Sequence, residues 1–160
     1  MIDPVLLSND AFEELKRIAK PAAIVVTNAN HARAGAWFRK SLSVPLLAHP
    51  EARADLGVDV DAELVEGEPW LDGLTPIAIP GAPPGEIAIH CATGTLVIGD
   101  ALIHFPPHGF ALLPDKYCAD PPALRTALRK LLRFDFEVLT FAHGFPLVAR
   151  ARQRLEALIA

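Results

Sequence analysis

The chain has 160 residues, 51% of them hydrophobic and 21% charged, with a formal net charge of −4. That length describes one domain, residues 1–160, with enough apolar residues for a sizeable core. The acidic balance, with a pI near 5.8, excludes the basic footprint of a nucleic-acid binder, and no apolar run approaches the ~20 residues that span a bilayer.

No basic segment followed by an apolar one stands at the N-terminus, so a cytoplasmic protein with no membrane partner is expected. Its two cysteines, Cys91 and Cys118, form no CxxC pair and read as reduced thiols. Cys91 and His90 make a poor nucleophile–base pair, because adjacent strand residues point to opposite faces.

Ser8, Asn9 or Asp10 can cap a helix over about 10–19, with Phe12, Leu15 and Ile18 on one face. Lys20-Pro21 ends it. Ala22 to Thr27 is a short apolar run rich in β-branched residues, as in a strand buried on both faces. A helix over about 31–42 follows, with Trp37, Phe38 and Leu42 inward. Val44 to Leu47 reads as a strand, and Pro50 to Leu56 as a short helix.

The second half changes character. Glu63 to Val65, Thr75 to Ile79, Glu86 to His90 and Thr95 to Ile98 are closely spaced strands, with a tight turn at Cys91-Ala92-Thr93-Gly94. Residues 101–119 read as a long irregular loop. Asp120 caps a helix with Pro121 and Pro122 in its first turn, striped by Leu124, Leu128, Leu131 and Leu132. Phe136 to Phe141 is a strand, and Pro146 opens a last helix to about 159. The order α-β-α-β, then a meander, then α-β-α predicts sheet layers with helices outside.

Polar residues collect at strand ends. They are Thr27-Asn28-Ala29-Asn30-His31-Ala32-Arg33, the turn Pro80-Gly81-Ala82-Pro83-Pro84-Gly85, Gly99-Asp100, and Ala142-His143-Gly144. Neighbouring strand ends converge on one point, which is what a metal-dependent hydrolase requires of its imidazoles and carboxylates.

In that order, and with Ile2-Asp3-Pro4 at the start, these segments resemble the metallo-β-lactamase-fold hydrolase superfamily, which includes glyoxalase II-type thioesterases and lactonases. The resemblance covers nearly the whole chain. It implies an α/β (α+β) fold, an αββα sandwich, here lacking the N-terminal strands that usually precede the Ile-Asp-Pro segment. The free sheet edge so left would favour a homodimer; a truncated start explains the same feature equally well.

The resemblance also implies where ligands should stand. The family's first motif is Thr-His-x-His-x-Asp-His. Asn28 and Asn30 occupy its two first-metal histidines, and Ala32 and Arg33 occupy its second-metal aspartate and histidine. Ala82 replaces the histidine of a Gly-His-x-x-Gly turn. Asp100 matches the bridging aspartate and His143 the last histidine, so two of seven positions are kept.

Asp100 and His143 are therefore the catalytic candidates, with Asn28, Asn30, Ala32, Arg33 and Ala82 lining the ligand-equivalent pocket. Arg33 brings a fixed cation that would repel a metal and could pair with Asp100. Asp100 reads either as that buried partner or as a metal- or proton-handling group. His31, one place off the ligand register, reads as a structural or capping residue or as a replacement ligand. Asn28 and Asn30 suit loop and cap hydrogen bonds, or the positioning of a substrate. His104 and His108 are solvent-facing unless their loop folds back. His90 reads as a satisfied core residue and His49 as surface.

Two functions follow. The first is a metallo-β-lactamase-like domain without two-zinc hydrolysis and with no cofactor expected, its pocket closed by Arg33 and Asp100. The alternative is a hydrolase of a small ester, thioester or lactone that holds zinc or another divalent metal on Asp100 and His143, with His31 or His108 as a third ligand.

Overall fold

The computed structural model describes residues 1–68, 70, 71 and 73–160. Helix α1 (Asn9–Ile18) starts at Ser8, whose hydroxyl accepts the Ala11 N–H at 3.3 Å. Strand β1 (Ile24–Val26), helix α2 (Gly35–Leu42), β2 (Leu46–Ala48) and β3 (Ala62–Glu63) follow, with a single 3₁₀ turn at Ala29–His31 and another at Pro50–Ala52. β1, β2 and β3 form a parallel sheet. Beyond the other edge of β1, Met1 and Asp3 exchange backbone bonds with Val25 at 2.8 and 2.9 Å.

The second sheet has the order β4 (Leu74–Ala78), β5 (Ile87–Cys91), β6 (Thr95–Ile98) and β9 (Val138–Phe141). β4, β5 and β6 are antiparallel, and β9 joins β6 in parallel. Its outer face carries α3 (Pro121–Leu131) and α4 (Ala151–Leu158).

Alternation along each strand sorts residues between layers, since strand neighbours face opposite ways. Ile24, Val26, Leu46 and Ala48 pack with Phe38 of α2. Val25 and Leu47, one step along, meet Ile87 and Ile89 between the two sheets. Ala88, Leu96 and Ile98 face α3 and α4 through Leu124, Leu128 and Leu155. The result is the expected αββα sandwich.

Four expectations change. Residues 101–119 are not irregular: β7 (Leu102–Phe105) and β8 (Gly109–Leu112) pair as a hairpin. The adjacent prolines lie in its reversal, with Gly109 at φ +65°, so they mark a turn rather than an unstructured loop. Pro146 opens no helix. Leu147 instead exchanges two backbone bonds with Leu139, both 2.9 Å, and the helix starts only at Ala151.

Trp37 is 42% exposed rather than inward, stacked edge-on against Phe12. α1 buries no residue fully, and Ile18 is left in solvent. Among the described residues no helix is long and apolar enough to cross a membrane.

Candidate functional site

Register brings the polar strand ends together. Ile98 of β6 is level with Phe141 of β9, so Asp100 and His143 each stand two residues beyond that pair. Thr27 follows β1, and its carbonyl accepts the N–H of Ile87 at the start of β5 at 2.8 Å. That bond joins the two sheets at the site and sets Glu86 beside the loop at 27–33.

His31 is the hub. It is buried, with Nδ1 2.8 Å from Asp3 Oδ2 and Nε2 3.2 Å from Asp100 Oδ1. His143, half exposed, places its Nε2 3.1 Å from the same Asp100 oxygen. Asp3 also accepts Thr27 N–H at 2.8 Å and the Thr27 hydroxyl at 2.6 Å.

Burial opposes the charged form of His31, but the Asp100 and Asp3 carboxylates outweigh it and push the imidazole up to about 9. Burial likewise pushes Asp100 upward, and the bonds and charges of His31 and His143 win, holding it below the usual carboxylate value. Buried imidazolium and carboxylate thus support each other.

Asn28 closes the other side. Its amide nitrogen donates to Glu86 Oε2 at 2.6 Å and Asp100 Oδ2 at 3.0 Å, while its oxygen accepts Asn30 N–H at 2.8 Å. Glu86 Oε1 accepts Ala101 N–H at 3.1 Å. Complete burial pushes the Glu86 carboxyl up to about 8, against the bonds from Asn28 and Ala101 that favour its charge. Gly99 permits this crowding: a Cβ there would collide with the Thr27 hydroxyl and lie 2.8 Å from both Glu86 oxygens.

A cleft of about 430 Å³ opens on the site, with Asn30, Asp100, His108 and His143 as its polar lining and Ile103, Phe105, Leu113 and Tyr117 as apolar walls. Ala82 is buried in the α3–α4 core, and Ala32 packs against the α2 core. His31, Asp100 and His143 each offer a donor atom, all within 4.8 Å of one another. They are the group that could hold a metal ion.

The ion pair between Arg33 and Asp100 is not formed. Both Asp100 oxygens are taken by His31, His143 and Asn28, and the Arg33 guanidinium reaches His143 Nε2 at 3.5 Å instead. His31, read as a cap or a replacement ligand, is the buried centre of the network. His104 turns away, its Nδ1 2.6 Å from the Phe145 carbonyl. His90 is half-buried rather than core, and bonds the Asp135 carbonyl at 2.8 Å.

Asp3, Thr27 and Glu86 carry roles that sequence reasoning did not assign. Glu86 had a signal: a lone acid between a glycine turn and the apolar strand Ile87-Ala88-Ile89 must be buried, and a buried acid needs partners.

A family model of the metallo-beta-lactamase superfamily matches residues 1–160, and the chain belongs to that superfamily. Among solved structures, the di-iron-bound form of TTHA1623 is 28% identical over 91% of this chain and 81% of that one, with a TM-score of 0.70. ETHE1 from Myxococcus xanthus is 15% identical over 99% of this chain and 77% of its own, TM-score 0.67. The B3 metallo-beta-lactamase BLEG-1 is 21% identical over 91% and 80%, TM-score 0.66. The last two likenesses speak for the fold alone. No sequence among curated proteins matches the chain.

Proposed function

We propose that the site is a single-metal hydrolytic centre acting on a small ester, thioester or lactone, and that two-metal chemistry is lost. The supporting observation is the convergence of His31, Asp100 and His143 within 4.8 Å. Three protein donors beside an open cleft are the pattern of a catalytic metal. Asp3 stands behind His31 at 2.8 Å, where a carboxylate fixes the tautomer and aim of a ligating imidazole.

The remaining positions do not fit a second metal. The amide nitrogen of Asn28 points inward as a donor, and its only ligating oxygen is committed to Asn30 N–H. Ala32 and Ala82 offer no donor atom, and Arg33 is a cation. The chemistry a bound divalent ion supplies is a more acidic water and a polarised carbonyl. The chain's own part is to orient: Asp3 holds His31, Asn28 holds the second oxygen of Asp100, and the apolar walls of the cleft exclude water from the ligand's body.

The test is metal content. Untagged protein equilibrated with zinc and then gel-filtered should retain close to one equivalent, lost in His31→Ala and in His143→Ala. Retention below about a tenth of an equivalent in the unmodified protein sinks the reading. One observation favours a second reading in that case. His31, at about 9 and between two carboxylates, is itself a buried cation, and the fold then serves as a metal-free binding domain.

A further inference from the structure

Arg33 differs from the cations that are held in ion pairs. Arg39, Arg53 and Lys130 each face a carboxylate, on Asp61, Glu63 and Glu66. Among the described residues Arg33 has no carboxylate in ion-pair range, and its one side-chain polar partner is His143 Nε2, at 3.5 Å. An exposed cation loses little by having no partner, so this alone would mean nothing.

Two further observations give it meaning. The backbone of Arg33 is left-handed, at φ +37°, which costs a non-glycine residue free energy. Four described non-glycine residues share that conformation. Ser43 closes α2 and Arg150 precedes α4, where such turns serve a helix end. Asp3 ends no helix, whereas Arg33 directly follows the Ala32 cap of the 3₁₀ turn at Ala29–His31 and turns its side chain toward His143. Arg33 and Asp3 also line a second cleft of about 520 Å³, with Val5, Ile98 and Phe141 as apolar walls. His143 and Asp100 line the first cleft, so the guanidinium stands where the two meet.

We propose that Arg33 is the anion-recognising residue of this site, binding the carboxylate of a small ligand whose apolar part lies against Val5 and Phe141. This rests on the reading that His31, Asp100 and His143 form the reactive centre. A planar guanidinium accepts a carboxylate through two parallel bonds. The short reach to His143 keeps that carboxylate within a few bonds of the group on which the site acts. The substrate class narrows to small esters, thioesters or lactones that carry a carboxylate.

Calorimetric titration with phenylacetate and its neutral isostere phenylacetamide tests this, on protein as isolated and after removal of metal with EDTA. Phenylacetate should bind EDTA-treated protein at millimolar concentration and phenylacetamide more weakly. Arg33→Gln should weaken phenylacetate about 10-fold or more, as expected for loss of a hydrogen-bonded charge, and leave phenylacetamide unchanged. Arg33→Lys should fall between.

Arg33→Gly should relieve the left-handed backbone, unfold at equal or higher denaturant, and still lose phenylacetate, which separates recognition from folding. Equal phenylacetate affinity in Arg33→Gln, equal affinity for acid and amide, or no binding by phenylacetate overturns the proposal. A zinc deficit in the unmodified protein would overturn the single-metal reading instead, so the two failures are distinct.

Discussion

The two halves of the site are built on opposite terms. The inner half is sealed from solvent at Thr27, Asn28, His31 and Glu86, with Asp3 at its edge beside the second cleft, and each of its buried polar groups has a partner. The outer half, Arg33 and His143, is exposed, its side chains held by the 3.1 Å contact to Asp100, the 3.5 Å contact between them and the edge-on packing of the His143 ring on His31. Unmet buried polar groups are costly, whereas exposed ones have water. The inner half therefore belongs to folding, and the outer half is left free for a ligand.

The sharpest way to break that comparison is Asp3→Ala. It strips the carboxylate from Thr27 N–H, the Thr27 hydroxyl and His31 Nδ1 at once, leaves the last two only each other at 2.9 Å, and leaves a buried imidazole facing one carboxylate. Removing one member of a buried charged network costs about 3–5 kcal/mol, read as a lower urea midpoint at unchanged slope. A loss under about 1 kcal/mol would mean that the inner half is not structural.

Gly99→Ala comes next. The added methyl meets the Thr27 hydroxyl and both Glu86 oxygens, and overpacking of this kind costs about 1–3 kcal/mol. Its effect should be absent at Gly94, which also follows an apolar stretch but has open space around it; any cost at Gly94 would come from its φ of +89° instead.

The layers were legible in the sequence because burial dictates them. Continuous apolar runs at 22–27 and 95–98 give buried strands whatever surrounds them. The strand-end loops were legible as a place, and their order along the chain carried the fold. What the sequence left open was set by long-range pairing. Whether Asp100 faced Arg33 or His31 depended on which side chain the turn at 29–31 sends inward, and no local rule decides that. The hairpin at 102–112 was obscured by two prolines that read equally as loop or turn. The start of α4 was set by Leu147 pairing with Leu139, a contact invisible in spacing.

A pH titration of metal-free protein sharpens the inner half further. His31 rises from its usual 6.5 to about 9 on folding, so its contribution is complete below about 6.5 and is lost as pH climbs through 9. Glu86 rises from 4.5 to about 8, so the folded state binds that proton more tightly and stability falls between those values. Asp100 is lowered from 3.8, so its contribution is present above that value and is lost in stronger acid. Urea midpoints should therefore peak near pH 5 and decline toward pH 9. Glu86→Gln, a neutral mimic of the protonated acid, should flatten the decline between pH 5 and 6.5, lessen it between 6.5 and 8, and keep the part between 8 and 9. A midpoint rising from pH 5 to 9 would reverse both signs.

The smallest expected effect on stability is at His143. Its side chain is 49% exposed and contributes one bond to an Asp100 that keeps His31 and Asn28 as partners. Partly exposed ion pairs are worth about 0–1 kcal/mol, so His143→Ala should unfold within about 1 kcal/mol of the unmodified protein. His31→Ala removes the other imidazole from the same carboxylate oxygen but empties a sealed position and leaves Asp3 and Asp100 without the cation between them, so it should cost several-fold more. The two imidazoles sit at nearly equal distances from Asp100, so any difference between the variants measures burial rather than bond length. Equal losses would show that the outer half is as structural as the inner one, and would leave no part of the site free to serve a ligand.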